Sequence, residues 1–354
     1  METPLKAEHL AAGARLAEFN SCLLPESFAG FESEYRNARE TVALMDTNWH
    51  AITSLKGPDR ARYLNAIVTN NILQLEPGRG TLALLLSPQG RILVELEIFA
   101  MPEQLLVLSH ASVQDRTTAT LEKYIIMDDV ELEDATSQMG TLSIEGPRAA
   151  LVIQEACGLA LESVPDFSIH EVTFGKTLCH LVRRSHFGAP GAEFIVRRDQ
   201  ILVLWRALLG AVYIHGGHPI GMTALNSLRL EAGIPWFPAD FNDTVIPHEA
   251  ALEETHISFS KGCYTGQEIV ERVRSRGHVN RRRVSLKFSV ADPPAIATRL
   301  RADGSEVGIV TSAGFSPVAG TAIGMGYVRR EHAEPGSALE FDGGTATVAI
   351  FPAP

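Results

Sequence analysis

The chain has 354 residues, enough for two or three cores at the usual ~100–200 residues each, and its 45% hydrophobic and 21% charged residues exclude a disordered polymer. A formal net charge of −11 excludes a surface that binds nucleic acid throughout, since that requires clustered Lys and Arg, so any anion site is local and there is no strong nucleic-acid signal. No run nears the ~20 apolar residues of a membrane span, charged Lys6, Glu8, Arg15 and Glu18 interrupt any signal-peptide core, and Cys22, Cys157, Cys179 and Cys263 are too scattered for a disulfide framework or zinc site; these readings point to a cytoplasmic protein with no membrane partner.

In chain order, the spacing predicts a helix over about His9–Phe19, then an irregular arm through Pro25 and Gly30. From Thr41, short apolar runs broken by Gly, Pro, Asn and Asp read as strands: VALMD, AITSLKG, LALLLSPQGRILVELEIF and QLLVLSH, with a hairpin turn at Pro88–Gly90. Helices are predicted over Asp59–Ile67 and Val113–Ile125. A second unit starts near Thr141, where LSIEG runs into a helix, and continues through strands near Thr177–Arg183 and Glu193–Arg197 to a helix over Asp199–Leu209. TALNSLRLEAG reads as a helix from Thr223 with Gly233 just past its end. After Arg283 only strands are expected, with a tight hairpin at Asp303–Gly304, consistent with a small β-barrel.

Three segments offer chemistry. In KGCYTGQEIVER, Gly262 and Gly266 bracket Cys263 and Tyr264, and the basic setting of Lys261, Arg272, Arg274 and Arg276 favours a reactive thiolate. The same residues also suit a small buried thiol that only fills space. From Arg272 to Lys287 there are seven Lys or Arg and no acid, which suits a polyglutamate tail, a phosphate, an acidic partner or a solvated face. In RRSHFGAPGAEFIV two glycine turns precede Glu193, whose carboxylate is placed either to accept paired N–H donors of a heteroaromatic ring or to lie in an exposed turn.

From about Thr41 to the C-terminal end, these segments resemble the YgfZ and aminomethyltransferase superfamily. KGCYTGQEIVER fits the YgfZ signature, SLRLEAGIP the shared helix ending, GAPGAEF the glycine-rich turn, and EVGIVTSAGFSPVAGTAIGMGYV the C-terminal barrel. The resemblance implies an α+β fold arranged as a three-domain cloverleaf: two mixed α/β sheet domains, over about 36–140 and 141–283 and contiguous or interleaved, plus a small β-barrel over 284–354, preceded by an N-terminal arm over 1–35. It also implies tetrahydrofolate, or a one-carbon derivative, as cofactor.

On that alignment Glu193 is the pterin-binding glutamate, and Trp49 or His50 stands for a folate-contacting tryptophan. Leu225 falls where a second such tryptophan stands, and Arg229 and Tyr264 complete the folate-binding set. Val94 in GRILVE occupies the position of an aspartate that assists methylene transfer, and valine cannot move a proton. The resemblance therefore implies a folate-binding protein that supports iron–sulfur cluster assembly or repair, for example in tRNA-modifying enzymes. Cys263 would be its reactive group, Lys261 and Arg272 would lower the thiol pKa, and Gln267 and Glu268 would fix the loop. The expected partners are folate, with or without a polyglutamate tail, and iron–sulfur client or assembly proteins. The alternative is a folate-dependent aminomethyl or one-carbon transferase, for which Glu95 and Glu97 are the nearby carboxylates.

Overall fold

The computed structural model describes residues 1–351. The N-terminal segment departs from the expected single helix. A short helix, Lys6–Ala11, ends at Gly13 (φ +82°), and the alternating RLAEF that follows forms a hairpin of strands Arg15–Phe19 and Cys22–Ser27. A left-handed glycine stops a helix where a β-capable sequence begins. This arm is fastened through His9, whose Nε2 lies 2.6 Å from Asp46 Oδ2 at the end of strand Ala43–Asp46, both side chains buried. Burial raises the Asp46 pKa, but His9 outweighs it and holds the carboxyl below its ordinary value.

Two sheets follow. The first is antiparallel, in the order Gly80–Leu86, Ile92–Ala100, Leu105–His110, His50–Lys56 and Glu131–Asp134. The second runs Ile169–Phe174, Thr177–Arg183, Gly191–Arg197, Met139–Glu145, Ala43–Asp46 and His218–Pro219, antiparallel except for its last pair. Because Ala43–Asp46 pairs with Met139–Glu145, the first sheet is inserted between two neighbouring strands of the second.

Alternation along each strand decides what lies between the sheets. Val94, Leu96 and Ile98 join Tyr63, Leu64 and Leu121 in a core under helices Arg60–Ile67 and Gln114–Lys123. Phe194 and Val196 pack with Trp205 and Leu208 of helix Ile201–Ile214. The opposite faces meet through Ile52, Phe99, Leu106, Leu108, Val182 and Ile195. Glu95 and Glu97 share the face of Phe99, and Glu193 that of Ile195, so these carboxylates point between the sheets.

Strands Arg281–Phe288, Thr321–Arg329, Ser305–Ser316, Arg299–Ala302, Ala338–Phe341 and Gly344–Ala349 close into a barrel. Helix Met222–Glu231 joins it to the sheets. Asn226 Nδ2 donates to Ala313 O at 2.9 Å, and Glu231 accepts from Tyr35 Oη at 2.8 Å and Ser316 Oγ at 2.5 Å. Buried Arg229 pairs with buried Asp240, whose other oxygen accepts from Thr311 and Ser312 of the barrel. Among the described residues no helix is long and apolar enough to cross a membrane.

Candidate functional site

Between the sheets sits a buried charged cluster. His50 Nδ1 lies 3.2 Å from Glu193 Oε1, and His50 Nε2 is 3.7 Å from Glu97 Oε1. Arg184 pairs with Glu97 and lies 3.4 Å from Glu193 Oε2, and His186 Nε2 is 3.7 Å from that same oxygen. Burial alone would pull His50 down, but Glu193 and then Glu97 outweigh it and raise its pKa to about 9. Burial would raise Glu193, but His50 and Arg184 hold it well below the carboxylate range. His186 is pushed down to about 3, by burial and then by Arg184. At neutral pH the cluster is therefore two carboxylates, one guanidinium, one imidazolium and one neutral imidazole.

The ligand atoms of His50, Glu97 and Glu193 lie within 4.8 Å of one another, close enough for a metal ion. The donor set does not suit one. His50 and Arg184 already neutralise both carboxylates, and a divalent cation would have to displace a proton from His50 and stand beside a guanidinium.

The cluster forms one wall of an inner chamber of about 60 Å³. Trp49, His50, Glu95, Glu97, Arg184, His186 and Trp236 line it. Through Phe19, Asn20, Met222 and Trp236 it adjoins an outer cleft of about 450 Å³ against the barrel residues Thr311–Phe315. Trp49 and Trp236 lie tilted with ring centroids 6.0 Å apart, and Trp49 sets its edge to His186. Both Trp49 and His50 thus face the chamber.

Glu193 is placed differently from the expectation of a direct lining residue. It is 1% exposed and stands one layer behind the wall, with its Oε1 against the His50 imidazole, while His186 Nε2 has no hydrogen-bond partner. Leu225 lines neither space, being buried in the apolar cluster beneath. Arg229 lines the outer cleft but is engaged by Asp240, Asn226 and the Ile234 carbonyl, with its guanidinium 4.7 Å from the Trp236 ring centroid.

Val94 faces the helix-side core, while Glu95 enters the chamber, where its Oε1 lies 2.9 Å from His256 Nε2. The carboxylate absent at position 94 is therefore offered one residue later, on the side where it can reach a ligand.

The signature segment lies outside the chamber. Cys263 is exposed, and Tyr264 is buried with its hydroxyl unpartnered. Lys261, expected beside the thiol, is held by backbone carbonyls. Its ammonium donates to the Asn65 and Val68 carbonyls at the end of helix Arg60–Ile67, 5.0 Å from the Tyr264 ring centroid, and burial pulls its pKa down to about 8. Gln267 meets the loop through its backbone, its N–H donating to the Tyr264 carbonyl at 3.2 Å, while Glu268 turns along helix Gln267–Arg276 to accept from Arg272 at 2.6 Å, an exposed pair. The loop is fixed by backbone fit. Gly266 has φ +84°, and a Cβ there would stand 2.6 Å from the Ser87 carbonyl, while one on Gly90 would stand 2.9 Å from Ile269.

The profile of the GCVT N-terminal domain matches residues 5–261, and that of the glycine cleavage T-protein C-terminal barrel domain matches residues 281–353. The chain belongs to the glycine cleavage T-protein family. The signature residues Cys263–Arg272 fall between the two matched regions. The aminomethyltransferase of Saccharopolyspora erythraea is 27% identical over 96% of this chain and 93% of its own length, and that of Desulforamulus reducens 26% over 95% and 92%. The crystal structure of the glycine cleavage system aminomethyltransferase T from Bartonella henselae has the same fold, with a TM-score of 0.90 at 23% identity over 99% of this chain and 97% of that one. T-protein family membership agrees with a folate cofactor and with the mixed α/β units and closed barrel described above.

Sequence reading missed Arg184, His186, Trp236 and His256. Arg184 and His186 stand in the same RRSHFG turn that drew attention to Glu193, and their alternation with Ser185 was the available signal. His256, in ETHISF, has none.

Proposed function

We propose that this chain binds tetrahydrofolate, or a one-carbon derivative, between the two sheets and transfers a one-carbon unit from an amine donor, as a folate-dependent aminomethyltransferase. One observation carries the reading: strand Ile92–Ala100 sends Glu95 and Glu97 into a chamber whose wall also holds His50, Arg184 and His186, with His186 Nε2 buried and without a hydrogen-bond partner. Such an atom calls for a ligand with ring nitrogens, because a buried polar atom left unpaired costs about 1–3 kcal/mol. The bound folate supplies the nucleophilic amine. His186, with Glu193 behind it, orients a heterocycle edge, Trp49 and Trp236 offer apolar faces, and Glu95, the partly exposed carboxylate, takes up a proton. The adjoining outer cleft has room for the rest of a folate-sized molecule.

Titration of tetrahydrofolate against wild type and Glu193→Ala tests the pocket, with affinity expected to fall at least about tenfold, since the variant takes from His50 and Arg184 the counter-ion that holds them in the wall. Equal affinities would show that the pocket is elsewhere. Detection of methylene transfer from an aminomethyl donor tests the reaction.

A second reading is favoured by one feature, the exposure of Cys263 where the other three cysteines are wholly or partly buried. An exposed thiol beside a folate protein suits the iron–sulfur assembly or repair role of YgfZ-type proteins. A cluster takes four protein ligands, so a partner would supply the others. Replacing Cys263 with Ala and assaying an iron–sulfur enzyme, such as a tRNA-thiolating one, in cells lacking the native gene separates the readings. Full rescue by the variant would remove Cys263 from function.

A further inference from the structure

We propose that His256 is a positioning residue of the chamber, holding Glu95 Oε1 so that Oε2 faces the reacting atoms and receives the proton released in one-carbon transfer; this rests on the transfer reading above. The imidazole is fixed on every side. Nε2 lies 2.9 Å from Glu95 Oε1, Nδ1 lies 2.7 Å from Thr255 Oγ1, and the Phe241 ring meets it edge-on. Its backbone is held as well: Thr69 Oγ1 donates to the His256 carbonyl at 2.6 Å and accepts from Leu84 N–H at 2.8 Å, which ties His256 to the sheet that carries Glu95.

The partners divide unevenly. The His256 side chain is 5% exposed and that of Glu95 24%, so the pair has a buried end and an open end, and the open end lines the chamber. Among the described residues Glu95 Oε2 has no hydrogen-bond partner, so one oxygen is anchored and the other is available. An imidazole that donates to one oxygen of a carboxylate and is itself oriented by a third group fixes the direction in which the carboxylate works. Val94 cannot serve in this role, since it faces the core.

The step balances without a redox partner. The donor's carbon–nitrogen bond breaks with its electron pair left on the departing amine as one folate nitrogen's lone pair forms the new bond; the second folate nitrogen then displaces the donor heteroatom still on the carbon, which leaves with its electron pair and takes up that nitrogen's proton. The first nitrogen's N–H proton passes to Glu95 Oε2 and from there to the departing amine, and the carbon keeps its oxidation level. His256 retains its own proton throughout. The residues just before the signature loop thus act on the chamber through the His256–Glu95 contact.

Two measurements on the full-length protein test this. In a ¹⁵N-histidine-labelled sample without ligand, with the resonance assigned by its loss in His256→Gln, the long-range ¹H–¹⁵N spectrum should show a proton on Nε2. In methylene transfer from an aminomethyl donor to tetrahydrofolate, His256→Leu should lower kcat about 100-fold, the usual cost of a misaimed group, with KM for tetrahydrofolate within about twofold. His256→Gln, whose amide N–H can still reach Glu95, should recover at least about tenfold of that loss, which a merely structural role would not produce. A bare Nε2, an unchanged kcat in His256→Leu, or equal losses in both variants overturns the positioning role alone. Absence of transfer in a wild type that binds tetrahydrofolate overturns the transfer reading and the proton-accepting role of Glu95 with it.

Discussion

His50 is the residue on which the buried cluster balances, since it neighbours both carboxylates and stands in the chamber wall. Its pKa, raised to about 9, makes a prediction about pH. The folded state holds this proton more tightly than the unfolded chain, so the stabilisation is complete below pH ~6.5 and is lost as pH rises through about 9. His50→Asn should flatten that loss, which we expect to be on the order of 2 kcal/mol in urea unfolding between pH 6 and pH 9.5. Matching pH slopes for wild type and variant would show that the pair does not carry a proton. At this scale the sequence was partly legible. Glu193 and the Trp49–His50 pair drew attention through family likeness, but their mutual contact arises only when two sheets meet, and no local pattern encodes which polar residues will face each other there.

Elements bring the signature segment its physical meaning. Gly266 and Gly90 allow helix Gln267–Arg276 to sit directly on the hairpin between strands Gly80–Leu86 and Ile92–Ala100. Gly266→Ala places a Cβ in the left-handed region and against the Ser87 carbonyl, so it should cost about 1–3 kcal/mol in thermal or urea unfolding. Gly262→Ala is the contrast: nothing lies within 4 Å of its Cβ position, and its stability should change by less than about 0.5 kcal/mol. Equal effects of the two substitutions would remove the packing account. The strands were legible from period-two alternation, as in Val94-Glu95-Leu96-Glu97, where core and chamber residues take turns. The helix expected over His9–Phe19 failed because apolar spacing in a short segment fits either period, and Gly13 decided between them. The stretch between Gly233 and Gly266, which carries Trp236, Asp240 and His256, has one four-residue helix, Glu253–His256, too short for a period to be read, and its course is set by tertiary hydrogen bonds.

Across the whole molecule, Asp240 joins what the chain separates. It accepts from Arg229 of the central helix, from the Trp236 N–H at 3.0 Å and from two barrel hydroxyls, and Tyr327 Oη donates to its carbonyl at 2.9 Å. Burial alone would raise its pKa, yet Arg229 and the barrel hydroxyls outweigh that and keep it ionised. Asp240→Ala leaves a buried guanidinium without its counter-ion and should cost about 3–5 kcal/mol, with faster proteolysis near the start of the barrel at Arg281. A loss below about 1 kcal/mol would mean that the barrel is held by its apolar contacts alone. The nesting of one sheet within the other also has a consequence in time. Strand Ala43–Asp46 leaves the ribosome early, but its partner Met139–Glu145 follows about ninety residues later, roughly 5–20 s at ~5–20 residues per second. During that interval the inserted sheet can complete itself while the strand that will floor the second sheet waits with both edges bare. Its neighbour on the other side, His218–Pro219, comes later still. Newly made chains are thus most exposed to mispairing at Ala43–Asp46, the strand to which the N-terminal arm is pinned through His9.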